Sequence, residues 1–286
     1  MVNSMKFKFI NTLASAKVYV EAALKGNSNF DKLWEENMIK PYWSEISQWA
    51  PFDCSFMKPK PIKDIEALKK QLDIFADIDF EELAAEFTRI SSELVKQDDD
   101  EMVIAFYPLD DENSTVKNLQ NGVIGANVFG NILININTLA KDFDKWIPYV
   151  MAHEYHHSVW GHNWYVLRGA AKGDLLEYLI NEGQADAFAC SLYSFLEPKW
   201  LSPLTSSEDE RLWRKYSLVL DSTDRSVQER YMFGDKSLEI PWCAGYYFGY
   251  EIIKSFLKNN PVIGFDKLIN IDSDKILSGS SYSRML

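Results

Sequence analysis

All four histidines of this 286-residue chain, His153, His156, His157 and His162, fall within ten positions of the segment VMAHEYHHSVWGH. His153, Glu154 and His157 form the pattern H-E-x-x-H. On an α-helix, residues four apart lie about 40° apart around the axis and roughly 6 Å along it, so two imidazoles can converge on one cation. Glu154, one position further on, can reach a water held by that cation instead of the cation itself. The chemistry such a set supports is hydrolysis, because zinc lowers the pKa of bound water towards neutrality and a carboxylate can take the proton released.

A hydrolytic zinc site needs a third protein ligand and keeps its fourth position open. No histidine lies beyond His162, so the third donor is a carboxylate or His162 itself. The segment YLINEGQADAFACSLYSF offers Glu182 and Asp186, four apart and therefore on one helical face, among Leu179, Ile180, Ala185, Phe188 and Ala189. Acids in such surroundings call for partners. Glu182 can complete the coordination of the cation, and Asp186 can accept the far N–H of a ligand histidine and so fix its tautomer. His156 reads as a helix-surface or supporting residue. His162 reads as the C-terminal cap of its helix.

The elements that must carry these residues follow from periodicity. Spacings of three and four predict helices through most of the first hundred residues, at about 142–160, at 174–196 after a loop containing Gly161, Gly169 and Gly173, and at about 242–258. The runs MVIAFYPL and GVIGANVFGNILININ are rich in β-branched and aromatic residues, predicting strands at about 102–108 and 123–136. The acidic run from Asp98 to Glu101 reads as a solvated turn, and the final SGSSYSRML as frayed. The expected organisation is a helical N-terminal region over 1–100 and a catalytic region over 101–286, with a soft boundary.

Composition narrows the partners. A hydrophobic fraction of 47% can build a large core, and 42 acidic against 30 basic residues give a net charge of −12. No basic run is dense enough to neutralise a phosphate backbone or an anionic bilayer, so neither nucleic acid nor a membrane is an expected partner. Three cysteines without close spacing point to neither a disulfide framework nor a thiolate zinc knuckle. No stretch approaches the ~20 apolar residues of a spanning helix, and the N-terminus lacks the continuous apolar run of a signal peptide. The expectation is a cytoplasmic protein; nothing in the sequence speaks to its oligomeric state.

HEYHH followed by NEGQAD resembles the H-E-x-x-H and E-x-x-x-D pair of the gluzincin, thermolysin-like metallopeptidases. More narrowly, AHEYHH, LLEYLINEGQADAFA and AGYYFGYEII together resemble the YjaZ-like family of predicted Zn-dependent proteases, over about 145–255. The resemblance implies an α+β, zincin-like fold, mostly helical, with a small mixed sheet packed by the H-E-x-x-H helix. It implies Zn2+ as cofactor, a peptide or protein substrate, His153, His157 and Glu182 as ligands, Glu154 as general base and Asp186 as the supporting acid. In that architecture an edge strand upstream of the metal helix, here within GANVFGNILININ, aligns an extended peptide, and the equal alternative for this segment is plain sheet core.

Two features depart from the pattern. The spacing from His157 to Glu182 exceeds the thermolysin norm, and no later histidine is present to face the oxyanion. WCAGYYFGYEII supplies tyrosines instead: Tyr246 and Tyr250 share a helix face, Tyr247 lies between them, and Gly245 and Gly249 permit close approach of another backbone. Tyr250 and Tyr246 are the candidate oxyanion donors, against the ordinary role of tyrosine as a core aromatic. The expected function is zinc-dependent peptide-bond hydrolysis. The alternative is a binding or regulatory protein whose zinc is structural and closed by four protein ligands. A di-iron site, the third and lowest-ranked reading, would need a second E-x-x-H on another helix, and this histidine distribution offers none.

Overall fold

The computed structural model describes residues 6–26, 29–96 and 101–285. Asp98–Asp100 of the acidic run lie outside them. The chain divides into two compact units, Met1–Val159 and Trp160–Leu286.

The first unit is built on a four-stranded sheet of order β1-β2-β4-β3. Its strands are β1 (Phe7–Asn11), β2 (Met102–Pro108), β3 (Val123–Val128) and β4 (Asn131–Ile136). β1 runs parallel to β2 and β2 to β4, while β3 pairs antiparallel with β4 and forms an edge. The helices are α1 (Leu13–Leu24), α2 (Phe30–Trp34), α3 (Trp43–Ile46), α4 (Ile65–Phe75), α5 (Phe80–Glu93), α6 (Ser114–Leu119) and α7 (Phe143–Gly161).

Every residue of β2 is buried, as the unbroken apolar run MVIAFYP demands of a strand covered on both faces. Val103, Ala105 and Tyr107 point into a core with Tyr19 and Val20 of α1, Trp34 of α2 and Leu68 and Leu72 of α4. Phe106, on the opposite face, meets Phe9 of β1 and Phe80 of α5, and Phe87 of α5 bridges Phe7 to Tyr155 of α7 through edge contacts.

Residues 123–136 form two strands where the sequence reading has one stretch. Phe129 and Gly130 both take positive φ, 53° and 107°, which is the two-residue turn whose twist suits a hairpin. The signal was weak because Phe is an uncommon residue in that conformation. β1 was also not anticipated, since FKFIN is a strand only when β2 stands beside it; its own burial alternates imperfectly.

The second unit is helical: α8 (Leu175–Leu192), α9 (Ser206–Tyr216), α10 (Arg225–Phe233), α11 (Ala244–Asn259), α12 (Phe265–Leu268) and α13 (Ser273–Gly279). Asp174 caps α8 by accepting from Glu177 N, and the Glu177 carboxylate returns to Lys172 N and Gly173 N, so three backbone N–H groups at the helix entry are satisfied. Leu175, Leu179, Trp213, Phe248, Ile252, Phe256 and Ile276 fill the core.

The C-terminal tail is pinned down, contrary to the frayed expectation. Tyr282 is buried, and its hydroxyl and that of Tyr247 both donate to Asp209 Oδ2 at 2.8 Å. Among the described residues no helix is long and apolar enough to cross a membrane.

Candidate metal centre

Helix α7 carries His153, Glu154 and His157 on consecutive turns. The Nε2 atoms of His153 and His157 stand 3.0 Å apart with the ring planes at 83°. Two ligands of one tetrahedral zinc, each about 2.05 Å from the ion, stand about 3.3 Å apart, so the two nitrogens already share a focus. Both rings are half-buried. Glu154 is buried, only 6% exposed.

Strand β3 holds this part of α7. Asn127 Nδ2 donates to the Glu154 carbonyl oxygen at 3.3 Å and to Ser158 Oγ at 2.6 Å. Ser158 Oγ in turn donates to Gly130 O, and Gly130 N donates to Asn127 Oδ1. The hairpin turn and the metal helix are thus stitched together. Over the same strand, the side chain of Glu154 lies across Gly125, where a Cβ would overlap its Cγ and stand 2.5 Å from Oε1.

His156 is fully buried, which rules out the helix-surface alternative of the sequence reading and leaves the supporting one. His162 is not a cap, because the helix does not end at Gly161: it continues as a π-helical turn over His162–Leu167.

Helix α8 carries Glu182 and Asp186, both buried, at 8% and 0% exposure. Asp186 receives the Trp200 indole N–H, which is shared between its two carboxylate oxygens at 3.2 Å each. Trp200 comes from a short 3-10 turn, Lys199–Leu201, and no local sequence signal marks it.

Helix α11 carries the tyrosines. Burial holds the Tyr246 phenol well above its ordinary pKa, and the negative charge of Glu182 pushes in the same direction. Burial raises Tyr250 to about 12, with Cys190 the next cause. Both are neutral O–H donors at physiological pH. Tyr246 shares its electrostatic surroundings with Glu182 and Asp186, and Tyr250 with Cys190, Glu251 and Asp186.

His153, His157 and Glu182 each offer one ligand atom, and these atoms all lie within 4.8 Å of one another. Two imidazole nitrogens and one carboxylate oxygen are a donor set suited to zinc. The group has three members among the described residues, and closed structural zinc sites take four. The donor set therefore fits a zinc ion.

Gly125, Asn127, Ser158 and Trp200 were not singled out from the sequence. Gly125 did carry a signal, since an isolated glycine within a strand marks close approach of another group. The other three act through partners 14 to 31 residues away in the chain, which no local pattern exposes.

No solved structure matches this chain. A curated relative, described as uncharacterized protein YjfC of Bacillus subtilis (strain 168), is 31% identical over 175 residues, covering 56% of each protein. The chain thus spans just over half the length of that relative. A family model described as "Predicted Zn-dependent protease (DUF2268)" matches residues 80–278, well over half of the chain and including H-E-x-x-H, Glu182 and both tyrosines. With a metal-capable His-His-Glu group inside the matched region, the chain belongs to this predicted Zn-dependent protease family.

Proposed function

We propose that the protein is a cytoplasmic zinc metallopeptidase of zincin-like fold and gluzincin type, in which His153, His157 and Glu182 hold Zn2+ and Glu154 is the general base. The observation that carries this reading is the three-member donor group, with a buried carboxylate next to its first histidine in the same helix. Zinc, when bound, supplies Lewis acidity that polarises a carbonyl and acidifies water.

Glu154 takes the proton that an attacking water sheds as its oxygen bonds to the scissile carbonyl carbon. It returns that proton to the amine nitrogen as the C–N bond breaks. Its burial between α7 and β3 keeps competing water away from the carboxylate and restricts its rotamers. Asp186 fixes the tautomer of a ligand histidine and is itself oriented by the Trp200 N–H. Tyr246, with Tyr250 as the second candidate, donates its phenolic O–H to the developing oxyanion, a role that needs the protonated form. β3 is an edge strand among the described residues, and an extended peptide or protein segment lies along it.

The second reading, a non-catalytic protein with structural zinc, requires a fourth protein ligand that closes the site. The test is cleavage of a mixed peptide library by the zinc-loaded protein beside its Glu154→Gln variant. The variant is expected to lose about 10²–10⁴ in kcat while retaining zinc. Undiminished cleavage by the variant removes Glu154 as the base.

A further inference from the structure

We propose that Gly125 is a positioning residue for Glu154: the missing side chain on β3 leaves the space in which the base lies. The proposal rests on Glu154 being the base and adds the element that sets its position.

Gly125 is not one of the glycines with positive φ, so its backbone conformation is open to any residue. What the site uses is the absence of a Cβ. A Cβ built on Gly125 would overlap Glu154 Cγ and stand 2.7 Å from Cδ and 2.5 Å from Oε1, with no backbone atom among its three nearest neighbours. β3 cannot simply retreat, because Asn127, two residues along, is bonded to the Glu154 carbonyl and to Ser158, and the turn at Gly130 is bonded to both Asn127 and Ser158. Strand and helix backbones are held at fixed separation, so any group added to Gly125 displaces the Glu154 side chain. A glycine within a strand weakens it. Here that weakness is coupled to the placing of one carboxylate.

The experiment compares wild type, Gly125→Ala, Glu154→Gln, Glu154→Ala and the double variant Gly125→Ala/Glu154→Ala, all full-length and zinc-loaded. Gly125→Ala is expected to lower kcat about 10²-fold, the scale of a misplaced catalytic group, with KM within about twofold and zinc content unchanged. The acid limb of its kcat/KM pH profile is expected to move, and its crystal structure to show Glu154 in another rotamer. A merely structural glycine would move neither. Any loss of thermal stability in Gly125→Ala is expected to vanish when the same change is made in the Glu154→Ala background, since the collision partner is then gone. This stability cycle needs no activity and covers the case of a poorly folded variant.

Wild-type kcat and an unmoved Glu154 in Gly125→Ala, with Glu154→Gln inactive, overturn the positioning role and leave the base assignment standing. A stability loss that persists without the Glu154 side chain overturns it equally. Full activity in Glu154→Gln overturns the base assignment on which the proposal rests.

Discussion

Gly183 of α8 and Gly249 of α11 meet backbone to backbone: a Cβ on Gly183 would overlap the carbonyl group of Gly249 and stand 2.8 Å from its Cα. A Cβ on Gly249 would in turn overlap the Leu179 carbonyl oxygen. Unlike the contact at Gly125, the obstacle here is main chain, which cannot rotate aside. Gly183 directly follows Glu182, so this crossing also fixes the backbone that carries Glu182 against α11.

Gly183→Ala and Gly249→Ala are each expected to cost about 1–3 kcal/mol, the range for overpacking, which lowers the midpoint of thermal unfolding by a few degrees up to about ten. Calorimetry checks this. Unchanged midpoints in both variants would show that the helices separate at little cost.

Metal content should follow the donor group. His153→Ala, His157→Ala and Glu182→Gln are each expected to leave purified protein with far less than one zinc per chain, whereas His156→Ala and His162→Ala keep it. Elemental analysis after dialysis distinguishes the two sets. Chelation of the wild type is expected to abolish peptide cleavage, and zinc to restore it.

Trp200→Phe removes the indole N–H that Asp186 receives but keeps an aromatic ring. If Asp186 orients a ligand histidine, the variant loses zinc affinity by up to about the 10–100-fold typical of such supporting contacts, and Asp186→Asn loses more. Competition with a fluorescent zinc chelator measures both.

Tyr246→Phe is expected to reduce kcat by about 10²–10³ with little change in KM, and Tyr250→Phe by much less. The ranking follows from surroundings: the charge of Glu182 bears on Tyr246, whereas beside burial Cys190 is the main influence on Tyr250. Steady-state kinetics on one peptide decides it, and the reverse ranking would move the donor role to Tyr250.

Stability should fall on the alkaline side. Burial raises Cys243 and Tyr250 to about 12 each, and Tyr247 and Tyr282 are raised as well, by burial first and then by their bonds to Asp209. Each group is neutral in the fold and ionises more readily in the unfolded chain, so the unfolded state holds fewer protons and gains as pH rises. Their contribution is intact below about pH 9, the ordinary thiol value, and is lost as pH climbs towards about 12. Denaturant titrations at several pH values are expected to show this decline, and Tyr282→Phe to make it shallower.

The sequence by itself determined the parts whose physics is local. H-E-x-x-H on a helix, an i, i+4 pair of acids in apolar surroundings, the fully buried β2 and the glycine-bearing α11 all follow from periods of 3.6 and 2 within one segment. Tertiary structure decided everything that depends on partners far apart in the chain. It made FKFIN a strand by pairing it with residues 102–106, buried His156, and anchored the tail through Tyr282 on Asp209. It also set Asn127 against Ser158, Trp200 against Asp186 and the bare Cα of Gly125 against Glu154. Such contacts have no period, because close packing and hydrogen-bond satisfaction are settled only when the backbones that carry them have met.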